Sequence, residues 1–206
     1  MIHEIEAIID RSGSMQDKEQ DIINGINIII NTFKKNNDNF IIKFSLKFFD
    51  HEEKIAVQSI DIDNVELLKK QDLIPRGKTA ILDAIGNSIN YFLTKKKENA
   101  DAFHKCIIYV STDGIDNASK KYNNEKIQIL IKEAKQNNIE ILYLASNQDA
   151  ILESSKFGLN SGNALNYLEN PNNIKAAYLS ASNAGQRFIT GKNIHFLDIE
   201  RNLSTN

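Results

Sequence analysis

Three segments of this chain carry oxygen-bearing side chains in patterns that could hold a hard cation. They are Asp10-Arg11-Ser12-Gly13-Ser14, Gly77-Lys78-Thr79 and Ser111-Thr112-Asp113-Gly114. Asp10, Ser12, Ser14, Thr79 and Asp113 together offer two carboxylates and three hydroxyls. Such donors suit Mg²⁺, which demands near-octahedral geometry and often keeps some waters; Mn²⁺ or Ca²⁺ would also accept them. No His or Cys joins the set, which argues against zinc. In an extended turn alternate side chains face the same way, so Asp10, Ser12 and Ser14 can share one side, with Gly13 relieving the backbone at the bend.

The elements that must position these residues alternate between short apolar runs and longer helical ones. Glu4–Ile9 reads as a buried strand. Ile22, Ile23, Ile26, Ile29, Ile30 and Phe33 follow helical spacing. Phe40–Phe49 alternates around Lys43, Ser45 and Lys47, a strand with one wetter face, and a weaker strand follows over Lys54–Ile62, with Ile55, Val57 and Ile60 inward. These two predict an antiparallel hairpin. Helices are expected through Ile81–Phe92 and Ile127–Ala134, and strands at Cys106–Val110 and Ile139–Leu144. A short helix is expected after Asn147 using Ile151 and Leu152, and Gly158–Asn173 reads as an irregular surface connection. A last helix runs through Ile174–Ala184, with a terminal strand at His195–Leu197. The pattern predicts a mostly parallel α/β sheet with one antiparallel edge strand and helices on both faces. In such sheets ligands sit outside the carboxyl ends of the strands, where all three segments fall. No linker or repeat divides the chain, so residues 1–206 read as one domain, with the helix and strand of 172–200 packed on it.

Asp-x-Ser-x-Ser after a first hydrophobic strand, a later Gly-x-Thr, and Ser-Thr-Asp-Gly after a central strand resemble the von Willebrand factor type A domain over nearly the whole chain. The resemblance implies a three-layer Rossmann-like fold carrying a metal-ion-dependent adhesion site. It implies that Ser12, Ser14 and Thr79 are hydroxyl ligands and that Asp10 and Asp113 hold the ion directly or through water. A protein partner's Asp or Glu carboxylate would complete the shell, and the chain would be a binding module rather than an enzyme. Thr112–Ser119 and Ala145–Ala150 look most like stand-alone bacterial and phage members. The electrostatics agree: two carboxylates leave a divalent ion incompletely neutralised, so it keeps affinity for an outside anionic oxygen.

Plainer readings compete. Ser12, Ser14 and Asp10 could be a helix cap and turn, and Thr79 an N-cap of the next helix. Gly77-Lys78-Thr79 is not a phosphate loop, because the glycine required five residues before the Gly-Lys pair is Asp72. A Mg²⁺-dependent phosphohydrolase of haloacid-dehalogenase type, with Asp10 as nucleophile, needs a second Asp two residues on, and Ser12 stands there. Asp116 reads as a surface acid, Lys34-Lys35 and Lys95–Lys97 as solvated helix ends, and the four histidines as surface or strand-end residues. Twenty-five basic against 27 acidic residues leave a net charge of −2, which gives no support to nucleic-acid binding. The one cysteine, Cys106, cannot form an internal disulfide and reads as a core residue. No apolar run approaches the roughly 20 residues of a membrane helix and no signal peptide is visible, so a cytoplasmic location is expected.

Overall fold

The computed structural model describes residues 1–36, 40–146 and 149–205. In chain order the main elements are β1 (Ile2–Asp10), α1 (Glu19–Lys35), β2 (Ile41–Phe49), β3 (Glu53–Asp61), α2 (Ile81–Glu98) and β4 (Lys105–Thr112). They continue with α3 (Asn124–Gln136), β5 (Ile139–Ala145), α4 (Ala150–Lys156), β6 (Ala164–Asn166), α5 (Pro171–Ile189) and α6 (Asp198–Thr205). The six strands lie in the order β3-β2-β1-β4-β5-β6, and only β3 runs antiparallel to its neighbour.

Alternation along β1 builds the two sides of the core. Ile5, Ala7 and Ile9 face the isoleucine stripe of α1, together with Tyr178 and Ala181 of α5. Ile8 points the other way, joining Cys106, Ile108 and Val110 under Ile85, Ile89 and Phe92 of α2. Each isoleucine or phenylalanine among them contributes about 1.5–3 kcal/mol when fully removed from water. The chain leaves β1 toward β2 on one side and reaches β4 on the other, so the strand order reverses between β1 and β4. Connections on opposite faces leave a crevice at that edge. No helix among the described residues is long and apolar enough to cross a membrane.

Several expectations are corrected. The polar face of β2 is not wet: Ser45 and Lys47 are buried. They lie beside two equally buried acids of β1, Glu4 and Glu6, with Lys47 Nζ 3.8 Å from Glu6 and 3.2 Å from Glu53. Lys95 is no solvated helix end either; it pairs with Glu4, which also accepts from Ser59 Oγ at 2.9 Å. Ile55 and Ile60 are exposed, because β3 is the sheet edge. The short helix forms, but it buries Ala150 and Ser154 while Ile151 and Leu152 face out; Asn147 and Gln148 of that reading lie outside the described residues. His195–Leu197 is not a strand. It leads into α6, with the Leu197 amide donating to Glu200 Oε2 at 2.8 Å and Arg187 bracing Glu200. The sixth strand is Ala164–Asn166, inside the stretch read as irregular, and three residues are too few to show a period.

Candidate metal centre at the carboxyl edge of the sheet

Asp10 ends β1 and Thr112 ends β4, and the parallel register of Ile8 with Val110 and Ile9 with Ser111 sets them side by side. Thr112 Oγ1 donates to Asp10 Oδ2 at 2.6 Å, and the Ser12 amide donates to Asp10 Oδ1 at 2.6 Å. Asp10 is fully buried, with both oxygens engaged by neutral donors. Burial pushes its carboxyl up to about 6; the bonds from Thr112 and Ser12 oppose this, and the nearby Asp113 adds to it.

Ser12 Oγ lies 3.1 Å from Ser14 Oγ, and Ser14 Oγ donates to Asp113 Oδ1 at 2.6 Å. Lys18 donates to Asp113 Oδ2 at 2.7 Å and also to Glu169. Thr79 is buried, and its Oγ1 is 3.5 Å from where a β-carbon on Gly114 would stand, beside Asp113. The structure therefore brings Asp10, Ser12, Ser14, Thr79 and Asp113 to one edge, from three loops. Asp116 turns away, accepting from the Leu82 amide at 3.3 Å and from Ser119.

The capping reading can be checked directly. Ser12 precedes a 3₁₀ turn at Gly13–Met15 and makes no side-chain cap bond. Helix α1 begins only at Glu19, after Lys18. Helix α2 has Ala80 at its N-cap, and its first amides are met by Asp116 and Ser119 rather than by Thr79. The hydroxyls of Ser12, Ser14 and Thr79 are thus not spent on helix ends.

Four residues to which the sequence assigned no role, Arg11, Asp50, Arg76 and Asn117, hold the loops in place. The Asp50 carboxylate, buried at the end of β2, pairs with Arg11 at 2.9 Å and Arg76 at 2.7 Å. The Arg76 amide donates to the Arg11 carbonyl at 2.7 Å, and the Gly13 amide to the Gly77 carbonyl at 3.3 Å. Gly77 is required there: its φ is +71°, and a β-carbon would lie 2.3 Å from His51 Nδ1. Asn117 completes the frame, its Oδ1 accepting from the Thr79 amide at 2.9 Å. The only sequence signal for this clamp was an acid at the end of β2. Asp50, His51 and Glu52 could bring three ligand atoms within 4.8 Å, but the two guanidiniums on Asp50, one of which also reaches Glu52, already supply the positive charge.

All five converging donors are oxygen. The 3.1 Å between the two serine hydroxyls is close to the ~3 Å separating neighbouring ligands of an octahedral ion with bonds of about 2.1 Å. The residues present fit a small hard cation.

No family model matches this sequence, and no curated protein matches it. Solved structures do match its shape. A von Willebrand factor type A protein from Catenulispora acidiphila aligns with a TM-score of 0.68 at 15% identity, over 90% of this chain and 43% of its own. The vWF domain of the type V pili tip protein Mfa5 from Porphyromonas gingivalis gives 0.65 at 10% identity, over 89% and 95%. Proximal thread matrix protein 1 from the mussel byssus, in a structure with a zinc-occupied MIDAS motif, gives 0.61 at 13% identity, over 89% and 45%. The chain spans less than half the length of the first and third of these. The sheet order, the antiparallel edge strand and the flanking helices are those of the three-layer von Willebrand factor A fold.

Proposed function

We propose that this chain is a metal-dependent protein-binding module, not an enzyme. Ser12, Ser14, Thr79 and Asp113 would hold Mg²⁺, with Asp10 acting through a bound water and Mn²⁺ or Ca²⁺ as substitutes, and an Asp or Glu of a partner protein would supply the last ligand. The observation that carries this reading is the set of three hydroxyls released from capping and gathered with Asp113 at the switch point of the sheet. The metal would supply a positive charge that two carboxylates leave partly unneutralised. The protein's own residues do the rest. Ser12 and Ser14 present their oxygens from one turn, Thr79 stands across Gly114, and the Arg11–Asp50–Arg76 clamp keeps the first two loops in register. The mussel protein with zinc at its motif supports the class of site, as a likeness of fold.

The phosphohydrolase reading loses ground on the same geometry. A nucleophilic carboxylate must reach a substrate, whereas Asp10 is enclosed, with both oxygens bonded.

The test is a calorimetric titration of Mg²⁺ and Mn²⁺, to millimolar concentration, into metal-stripped protein beside Ser14→Ala. Saturable binding near one site, lost in the variant, is expected. A wild type that never saturates, or a variant that binds equally well, would remove the reading. If metal binds, Mg²⁺-dependent capture of acidic peptides, reversed by EDTA, tests the partner half.

A further inference from the structure

Lys18 lies four residues beyond Ser14, at the residue before α1, and its side chain is largely buried. It does not cap the helix. Its ammonium reaches across to two acids from distant loops, Asp113 Oδ2 at 2.7 Å and Glu169. Glu169 is itself anchored, accepting from Ser146 Oγ at 2.8 Å. The Asp113 carboxylate is therefore divided, one oxygen taken by the Ser14 hydroxyl and the other by a cation belonging to the chain.

A divalent ion on Asp113 and an ammonium on the same carboxylate would be two cations a few ångströms apart. Their repulsion is strong in a partly dry site. The lysine need not enter solvent to escape it, because Glu169 gives it a second acid. We propose that Lys18 is a tethered counter-ion of the ion-free site. It neutralises Asp113 when no metal is bound, it competes with the metal for that carboxylate, and its withdrawal onto Glu169 accompanies metal binding. Lys18 would thus set the metal affinity of a site it does not ligate. This inference rests on the metal-binding reading above.

The experiment compares Mg²⁺ titrations by calorimetry, at fixed ionic strength, for the metal-stripped full chain and for Lys18→Met, Lys18→Gln and Lys18→Arg. The neutral variants should bind Mg²⁺ about tenfold more tightly than wild type, and the arginine variant within about threefold of it. A second readout is thermal unfolding in EDTA, where Lys18→Met should melt about 2–4 °C below wild type, the gap closing on saturation with Mg²⁺. Neutral variants that bind no tighter than a wild type that does bind would overturn the proposal and leave the metal site standing; the lysine would then be an ordinary ion pair. Folded variants and wild type that all fail to bind would remove both.

Discussion

Three acids of one strand, Glu4, Glu6 and Asp10, point to the same face of β1 and are equally buried, yet they meet different surroundings. Glu4 is answered by Lys95 and Ser59, and Glu6 by Lys47, all side chains of the chain itself. Lys47 is also held by Ser88 at 3.0 Å and by Glu53. Asp10, at the end of the same strand, is met by a hydroxyl and an amide but, among the described residues, by no cation, and a second acid stands nearby. The first arrangement supplies its own cations, Lys95 from α2 and Lys47 from β2. The second is open to an added positive charge. A buried carboxylate in this fold is structural where the fold supplies its cation, and a candidate for function where the fold supplies only dipoles.

The comparison can be broken most sharply from the first arrangement. Lys47→Ala removes the cation facing Glu6 and should cost about 3–5 kcal/mol of stability in urea unfolding, leaving metal affinity per folded molecule unchanged. A loss under 1 kcal/mol would show that Glu6, whose carboxyl burial already pushes upward against the pull of Lys47, is carried neutral without help. On the open side, Asp113→Ala should abolish saturable Mg²⁺ binding at millimolar metal while costing less stability than Lys47→Ala, since Lys18 keeps Glu169 as a partner. Thr79→Ala should weaken metal binding by about tenfold, some 1.4 kcal/mol, with the melting temperature nearly unmoved. A large fall in stability would mean the threonine is a packing residue instead.

A pH-dependent effect concerns the remaining ionisable residue of β1. His3 is buried near Phe40 and His104, and burial, with the positive charges of His104, Lys105 and the N-terminus, lowers its pKa from 6.5 to about 4. The folded protein therefore refuses a proton that the unfolded chain accepts below 6.5. Its contribution to stability is whole above that pH and is lost as the pH falls from 6.5 toward 4. The slope cannot exceed about 1.4 kcal/mol per pH unit for one proton. Denaturant titrations between pH 7 and 4 should show a shallower decline in His3→Gln than in wild type; identical slopes would assign the acid sensitivity to other groups.

Much of this was legible in the residues alone. The isoleucine stripe of α1 and the continuous run Cys106–Val110 carry their periods within a few neighbours, so their elements could be read locally. Asp10, Ser12, Ser14, Thr79 and Asp113 could be grouped as one candidate site because their types and order agree with one chemistry. What escaped was every fact that depends on a distant partner. Lys47 looked solvated, since a lysine in an alternating strand shows the same pattern whether its acid is water-facing or lies across the sheet on Glu6. The Arg11–Asp50–Arg76 clamp joins loops that no short window spans.

The sequence by itself determined which atoms were on offer: hard oxygens after the first and central strands, a hydroxyl before α2, and helices with one apolar face. Only the tertiary structure decided that β1 lies beside β4, so that those oxygens meet, and that Lys18 reaches Asp113 and Glu169 from a third direction. The division has a physical cause. Side-chain periodicity is a property of neighbours along the chain, whereas strand order and charge pairing are settled by contacts between residues about a hundred positions apart.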